Sequence, residues 1–171
     1  MNVVVFSDSH GRASYIDEMM ARVTACGGEK PAHILFLGDG MGDLKHAHGL
    51  DGHSVLSVCG NGDILFSGIE PDMRILGLGQ YRALMIHGHL QGVKYGLTQA
   101  VALAVRNEVD LLLHGHTHTP FAKTLAAGER FEGVLIQKPL CIFCPGALME
   151  GSFGRVSATE QGILMSHGSL F

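Results

Sequence analysis

The sequence predicts a mixed α/β domain with two β-sheets, and three features of the chain indicate this fold class. Short apolar runs rich in β-branched residues recur along the chain and have the length of buried strands. Early in the chain, a segment with helical spacing lies between two such runs, which is the alternation typical of α/β domains. Later, several short apolar runs are separated by glycine turns, which indicates a further sheet.

The first strands are predicted from runs of β-branched and aromatic residues that end in polar loops. Residues 3–6 form the first such run, which leaves into a loop beginning Ser7-Asp8. Residues 33–37 and 54–58 are two further runs, and each is followed within two residues by a glycine. Apolar runs of this length, bounded by turn residues, are typical of buried strands.

A helix is predicted over residues 14–26. Its apolar side chains share one helical face: Ile16, Met19, Met20 and Val23. Ser14 is the predicted N-cap, and Asp17 is its capping-box partner three residues later. Gly27-Gly28 is predicted to end the helix, because glycine is the usual residue just past a helix C-terminus.

The middle of the chain predicts a hairpin and a second helix. Residues 73–78 and 82–86 are adjacent strand-like runs separated by a short turn at 79–81. Residues 94–107 follow with helical spacing and an apolar face of their own: Leu97, Val101, Ala104 and Val105.

The remaining elements are short strands. One is predicted at residues 111–113, and others are expected around 122–125, 134–136, 141–143 and 162–166. Cys141 and Cys144 have C-x-x-C spacing, but no second pair completes a zinc site. Strand alternation would point them to opposite faces, so we interpret both as small buried hydrophobic residues.

Composition excludes several functional classes. The chain has 171 residues, so residues 1–171 are expected to form a single domain. The net charge of -4 gives no signal for nucleic-acid binding, which needs a basic face. No apolar stretch reaches the roughly 18 residues of a membrane span. The start of the chain lacks the features of a signal peptide, so we expect a cytoplasmic protein with reduced thiols.

Histidine and glycine are unusually abundant, with 11 and 24 residues respectively. Five predicted strands each end in a glycine-containing loop with Asp, Asn or His. The five loops are Asp8-Ser9-His10, Gly38-Asp39, Gly60-Asn61-Gly62-Asp63, His87-Gly88-His89 and His116-Thr117-His118. Ligands of α/β sheets gather beyond the carboxyl ends of the strands, so these loops would form one constellation.

These residue types match the hydrolysis of a small phosphate ester. The reaction needs a strong nucleophile and neutralisation of the phosphoryl oxygens, and two neighbouring cations supply both. Mixed carboxylate and imidazole ligands suit Mn, Fe, Zn, Co or Ni better than Ca or Mg. Mn is the expected occupant, with Zn, Fe, Ni, Co or Mg as alternatives. A carboxylate can bridge two metals, and Asp39 is our candidate for that position.

Each motif also has a purely structural interpretation. Asp8-x-His10 is a spacing that is common by chance, and Asp39 could cap a following helix. Asn61 between two glycines is typical of a turn that tolerates positive φ. The paired histidines at 87/89 and 116/118 are rarer in surface turns, and the ordered combination of all five motifs is far more specific than any member.

The ordered set of motifs resembles the calcineurin-like metallophosphoesterase superfamily, and residues 87–97 are similar to its small YfcE-type phosphodiesterase branch. The resemblance extends from Val3 to about Gly146. It implies a four-layer α/β/β/α sandwich of two mixed β-sheets flanked by helices. It also implies a dinuclear site, with two divalent metal ions per chain, that hydrolyses phosphodiesters.

The family motifs imply a ligand set for each metal ion. One ion would take Asp8, His10, Asp39 and His118. The other would take Asp39, Asn61, His87 and His116. In this assignment Asn61 also contacts the substrate phosphate, and His89 lies behind the ligand His87 or faces the substrate.

One departure from the family pattern concerns the leaving group. Many members have His, and the YfcE-type branch often has Cys, where this chain has Gly62. Glycine cannot donate a proton, so we expect esters with acidic leaving groups to be cleaved fastest, or another group to donate. The candidate donors are Asp63, His89, His46 and His48, although Asp63 could simply cap a turn.

Two other functions are weighed against this hypothesis. The fold also resembles the metallophosphoesterase-like subunit of the retromer coat, which is a protein-binding scaffold. The third hypothesis is an enzyme of another kind, either a two-metal amidase or a single-zinc hydrolase. Metal content per chain would identify a single-zinc hydrolase, because such a site binds one ion and not two. The apolar, glycine-rich composition permits a homo-oligomer.

Overall fold

The computed structural model describes residues 1–25 and 29–171. Strands formed from apolar runs make two five-stranded sheets and one small hairpin. The predicted helix end at Gly27-Gly28, and Cys26, lie outside the described residues.

The first sheet has the strand order β12-β11-β1-β2-β3. Its parallel half contains β1 (Asn2–Phe6), β2 (His33–Phe36) and β3 (Val55–Ser57). Its antiparallel half contains β11 (Ser152–Thr159) and β12 (Gly162–Ser169). The three parallel strands end at the same edge of the sheet, which brings their following loops together.

The second sheet has the strand order β4-β5-β6-β10-β7. Its parallel centre contains β5 (Tyr81–Ile86), β6 (Leu111–His114) and β10 (Leu140–Cys144). The antiparallel edges are β4 (Met73–Leu78), which forms the predicted hairpin with β5, and β7 (Phe121–Leu125). A separate hairpin joins β8 (Arg130–Phe131) and β9 (Val134–Leu135).

The two sheets pack face to face, with one helix on each outer surface. Alternate residues of β1, such as Val3 and Val5, meet Met85 and Leu113 of the second sheet in a central core. The opposite face of the first sheet packs on α1 (Ala13–Ala25), and the opposite face of the second packs on α2 (Thr98–Arg106). This arrangement confirms the predicted four-layer α/β/β/α sandwich.

The apolar faces of both helices were predicted correctly, but the first residue of the second helix was not. Ile16, Met19, Met20 and Val23 of α1 are all buried. In α2 the buried residues are Ala100, Val101 and Ala104, while Leu97 and Val105 are partly buried. The second helix begins at Thr98, four residues later than predicted, because residues 88–97 form turns instead.

The predicted capping box of α1 is wrong. Asp17 Oδ1 accepts a hydrogen bond of 2.6 Å from the backbone N–H of Gly49, which lies in a distant loop. The start of α2 is held by another distant side chain, because the Glu132 carboxylate accepts hydrogen bonds from Leu97 N at 2.6 Å and Thr98 Oγ1 at 3.0 Å. Neither contact has a signature in the local sequence.

The strand β11 was not predicted. All eight of its residues pair with β12 on one side, and residues 154–157 pair with β1 on the other. Few large apolar residues mark it, and Gly154 lies so close to Phe143 that a β-carbon there would overlap the ring. The strand exists because two neighbours supply its hydrogen bonds, which residue pattern alone does not reveal.

Candidate metal centre

The loops that follow β1, β2, β5 and β6 meet at one end of the sandwich. Backbone hydrogen bonds tie these loops to one another: Asp8 N donates to Gly38 O at 2.9 Å, and Gly115 N donates to His87 O at 3.0 Å. Six of the predicted ligands fall into two groups whose candidate ligand atoms lie within 4.8 Å of one another. The first group is Asp8, His10 and His118, and the second is Asp39, His87 and His116.

The first group is centred on Asp8, whose side chain is fully buried. Its Oδ2 accepts hydrogen bonds from Ser7 Oγ and, at 3.1 Å, from His116 N. Its Oδ1 is buried without a hydrogen-bond partner among the described residues. That oxygen lies 3.2 Å from His118 Nε2 and 3.7 Å from His10 Nε2. A buried carboxylate oxygen left free beside two imidazoles fits a cation, because it would otherwise carry an uncompensated desolvation cost.

The second group is organised by the orientation of His87. Its Nδ1 lies 2.7 Å from the carbonyl oxygen of Leu37, which requires Nδ1 to carry the proton and donate. The Nε2 lone pair is then available, and it lies 3.0 Å from His116 Nδ1 and 3.5 Å from Asp39 Oδ2. A backbone carbonyl that fixes the tautomer of a histidine is the usual support for a metal ligand.

Asp39 lies between the two groups. Its Oδ1 accepts a hydrogen bond of 2.6 Å from the backbone N–H of Gly62, which fixes the carboxylate plane. Its Oδ2 lies 3.5 Å from His87 Nε2 of the second group and 3.9 Å from His10 Nε2 of the first. One carboxylate oxygen therefore faces both groups, which is the position a bridging ligand would take.

The backbone of the ligand loops adopts a conformation that most residues avoid. Five candidate ligands have positive φ: Asp8 (56°), His10 (43°), Asp39 (62°), His116 (67°) and His118 (60°). In the described part of the chain, only Glu108 and Glu132 among other non-glycine residues share this feature. Such conformations cost free energy and concentrate at functional sites.

Glycines make these close approaches feasible at two points. A β-carbon at Gly60 would overlap the Asp39 carboxylate, and one at Gly115 would overlap the Ser7 side chain. Both positions therefore require glycine if the loops are to come this close.

Burial lowers the pKa of three histidines at this end of the sandwich. It lowers the pKa of His116 to about 4, assisted by electrostatic repulsion from His87 and Lys94. Burial also lowers the pKa of His114 and of His89. A neutral imidazole is the form that binds a metal, so His116 is already deprotonated at neutral pH.

Three predicted site residues lie outside both groups: Asn61, His89 and Asp63. Asn61 is an exposed turn residue between Gly60 and Gly62, and its φ is not positive. His89 is half-buried, with its ring centroid 5.4 Å from that of His87 and 6.2 Å from that of His116. Its Nδ1 is buried and makes no hydrogen bond within the described ranges.

Asp63 is an acceptor of backbone hydrogen bonds. Its Oδ2 accepts from Asp39 N at 2.7 Å and Gly60 N at 3.0 Å. Its Oδ1 accepts from Gly40 N at 2.9 Å and Met41 N at 2.8 Å. With both oxygens engaged as acceptors, the carboxyl offers no O–H to a leaving group, which favours the turn-cap interpretation over proton donation.

The other proton-donor candidates, His46 and His48, are exposed and belong to neither group. The structure adds one residue that the sequence analysis missed. Glu150 Oε1 lies 3.6 Å from His118 Nδ1, on the ring edge opposite the Nε2 that faces Asp8. Glu150 lies 32 residues beyond His118, in a short 3-10 turn between β10 and β11, and no motif of the sequence analysis included it.

Comparison with known proteins gives a consistent family assignment. The family model described as the calcineurin-like phosphoesterase superfamily domain matches residues 1–168. The probable metallophosphoesterase YsnB of Bacillus subtilis (strain 168) is 30% identical over 145 residues, which cover 85% of this chain and 77% of that protein.

Solved structures share the fold at lower identity. A conserved uncharacterized protein of Streptococcus pneumoniae TIGR4, a predicted phosphoesterase, has a TM-score of 0.74 at 20% identity, covering 99% of this chain and 89% of that one. Wild-type Vps29 of Entamoeba histolytica, in complex with Zn²⁺, has a TM-score of 0.65 at 15% identity, covering 100% of both chains.

Among the described helices, none is long and apolar enough to cross a membrane. The family model spans nearly the whole chain, and both the relative and the fold agree with it. The chain belongs to the calcineurin-like phosphoesterase superfamily.

Proposed function

We propose that this protein is a dinuclear metal-dependent phosphodiesterase of the YfcE-type branch, acting on small phosphate esters within a single domain, residues 1–171. The observation that carries the proposal is the position of Asp39 Oδ2, which lies 3.5 Å from His87 Nε2 and 3.9 Å from His10 Nε2. Two neighbouring cation sites that share one carboxylate would allow two metals to activate a water and to stabilise the attacking and leaving oxygens of a phosphate ester.

The ligand assignment follows the two groups. One ion is held by Asp8, His10, Asp39 and His118. The other is held by Asp39, Asn61, His87 and His116, with the exposed Asn61 turning inward to ligate and to contact the phosphate. Mn²⁺ is the proposed occupant, and Zn²⁺ is the first alternative because the similar Vps29 structure contains it.

When bound, the two ions supply an activated water and neutralise charge on the phosphoryl oxygens. The chain itself holds His87 in the ligating form, since Leu37 O fixes the tautomer of its ring. His89 is the remaining half-buried candidate for holding or passing a proton near the ester, because the carboxyl oxygens of Asp63 are engaged by backbone amides.

A diester is favoured over a monoester by the charge of the site. The groups around the ligands are carboxylates and imidazoles, and Lys94 is the cation that acts on His116. A diester carries one negative charge, whereas a monoester carries close to two near neutral pH and would need more positive partners.

A protein-binding scaffold is the second candidate function, and the fold similarity to Vps29 favours it. The two functions differ in their need for a complete ligand set. A scaffold has no requirement for the buried, unpartnered Asp8 Oδ1 or for the strained ligand loops.

We also propose a reducing, cytoplasmic location. Cys59, Cys141 and Cys144 are free and buried, which suits a compartment in which thiols stay reduced.

The test is hydrolysis of bis(p-nitrophenyl) phosphate by metal-stripped protein, before and after addition of Mn²⁺, together with metal content per chain. Restored turnover with about two bound ions supports the proposal. One ion per chain would indicate a single-metal hydrolase. No turnover with Mn²⁺, Zn²⁺, Fe²⁺, Co²⁺, Ni²⁺ or Mg²⁺ would contradict the proposal and favour the scaffold.

A further inference from the structure

An open cleft of about 570 Å³ begins directly at the candidate metal centre. His10, Asp39 and Gly62 form its inner end, and Ile64, Leu65 and Phe66 form a wall. The volume is in the range of ligand pockets, which combine apolar walls with a few polar groups that fix orientation. The cleft is therefore large enough for more than the phosphoryl group alone.

The apolar wall consists of Ile64, Leu65 and Phe66, a single turn of 3-10 helix. Ile64 is 78% exposed and Leu65 is 88% exposed, whereas Phe66 is partly buried against the core that contains α1. The two adjacent aliphatic side chains form a small apolar patch beside the candidate active site, and apolar patches of this kind occur in ligand-binding grooves.

Hydrogen bonds through Asp63 connect the wall to the loop that carries Asp39. Asp63 precedes it, and the Asp63 carbonyl oxygen accepts a hydrogen bond of 2.8 Å from Phe66 N. The side chain of the same Asp63 accepts hydrogen bonds from Asp39 N, Gly40 N and Met41 N. The position of Leu65 relative to Asp39 is therefore set by one buried residue.

The charges of the cleft disfavour a highly anionic ligand. None of the residues that line it is a lysine or an arginine. Its two other carboxylates are occupied: Asp43 Oδ2 accepts from Ser9 Oγ at 2.6 Å and Gly11 N at 2.9 Å, and Asp63 binds backbone amides. Lys45 is nearby, but it stacks on Phe66 at 5.0 Å and lines a neighbouring cavity. Beyond the metal ligands, the cleft presents an aliphatic wall without a cation.

We infer that the cleft binds the ester group of the substrate, and that the preferred substrates are phosphodiesters with an apolar alkyl or aryl group. This inference rests on the proposed phosphodiesterase function and specifies its substrate class. Ile64 and Leu65 bury the apolar group, while the single negative charge lies at the metal centre. The lack of cations along the wall disfavours nucleoside polyphosphates and other multiply charged esters.

The test uses binding, so that it does not depend on turnover. Diethyl and dibutyl phosphate are symmetric, slowly cleaved diesters that differ only in chain length. Isothermal titration calorimetry on Mn²⁺-loaded protein is expected to give about tenfold tighter binding of dibutyl phosphate, from the extra buried methylenes. The heat-capacity change should also be more negative for the longer chain. Inhibition of bis(p-nitrophenyl) phosphate hydrolysis should show the same tenfold ratio.

Leu65→Ser and Ile64→Ser are each expected to reduce this ratio to below about threefold. Both side chains are exposed, so neither substitution removes core packing. The matched control is Leu164→Ser, because Leu164 on β12 is also exposed, at 67%. Leu164 pairs with Ser157 of β11, and Ser157 pairs with Asn2 at the start of β1, so the control lies at the other end of the sandwich. The control should retain the wild-type ratio.

Equal binding of the two diesters, or an unchanged ratio in both wall variants, would overturn the inference. A second copy of the chain is the other occupant that the wall could accept. Light scattering that shows a dimer lost on Leu65→Ser, with the binding ratio unchanged, would assign the wall to self-association instead. Failure of the proposed function gives a different result, namely no hydrolysis of bis(p-nitrophenyl) phosphate with any metal.

Discussion

The carboxylate of Asp63 accepts a hydrogen bond of 2.7 Å from the backbone N–H of Asp39. This contact joins the loop after β2 to the loop after β3 at the residue whose Oδ2 faces both candidate metal groups. The position of the proposed bridging ligand is thus determined by a buried carboxylate from another loop.

Asp63→Asn is expected to destabilise the metal-free protein by about 3 kcal/mol, because an amide NH₂ would face backbone N–H groups that now donate to an oxygen. Urea unfolding measures the change. Asp72→Asn, at an exposed position, is the control and should change stability by less than about 0.5 kcal/mol. Unaltered stability, with selective loss of activity on alkyl esters, would restore Asp63 as a proton donor.

His116→Ala should abolish activity without unfolding the protein. Substituting a residue that only hydrogen-bonds to a metal ligand typically lowers metal affinity or activity about 10- to 100-fold. Loss of a ligand itself should therefore lower kcat/KM at least about 100-fold. His116 is only partly buried in a loop, so the free energy of unfolding should change by less than about 1 kcal/mol. The control is His46→Ala, at an exposed position. Wild-type rates in His116→Ala at full metal load would refute the ligand assignment.

Glu150→Gln is expected to weaken metal binding by about tenfold, because the carboxylate 3.6 Å from His118 Nδ1 orients the ring and increases its basicity. Competition with a fluorescent chelator measures the affinity. Glu160→Gln, at an exposed turn, is the matched control. Identical affinities for wild type and Glu150→Gln would mean that the contact has no role in ligation.

Gly62→His should increase the hydrolysis of esters with poor leaving groups. Wild type lacks a side chain here, so its kcat should fall steeply as the pKa of the leaving group rises, and an imidazole should flatten that dependence. Gly62→Ala separates this effect from crowding, because a β-carbon there lies 3.1 Å from Asp39 Oδ1. A flat dependence in wild type would show that another group already donates the proton.

The stability of the metal-free protein should depend on pH through His116. Folding lowers its pKa from 6.5 to about 4, so below pH 6.5 the unfolded chain takes up the proton first. The free energy of unfolding should therefore fall as pH drops from about 6.5 to about 4, and this contribution should level off below that range. His116→Asn should show a shallower decline than wild type, with His46→Asn as the control. Parallel curves for wild type and His116→Asn would contradict this prediction.

Local pattern was sufficient to locate the strands whose ends carry the candidate ligands. The apolar runs before Asp8, Asp39, His87 and His116 are buried strands, and the loops after them meet at one end of the sandwich. The buried face of α1 was likewise visible as a spacing in the sequence. These features are local because strand and helix periodicity depends on neighbouring residues.

Contacts between distant parts of the chain were not predictable in this way. The strand β11 has few large apolar residues and depends on pairing with β1, 150 residues earlier. Glu132 at the start of α2 and Glu150 beside His118 act through space, from segments without a motif. These polar contacts join residues that are 32 to 35 positions apart in the chain, so their partners depend on the tertiary fold.

Residue type and short-range spacing were sufficient to identify the residues that could bind metal and to show that they follow buried strands. How those residues are used depends on the tertiary structure. In the folded chain, Asp8 Oδ1 is buried without a hydrogen-bond partner among the described residues, and Asp39 Oδ2 lies between the two groups. The Asp63 carboxylate accepts hydrogen bonds from backbone amides. The tertiary structure also places the exposed Leu65 beside the site. These outcomes depend on distances between loops, and only the packing of one sheet on the other sets those distances.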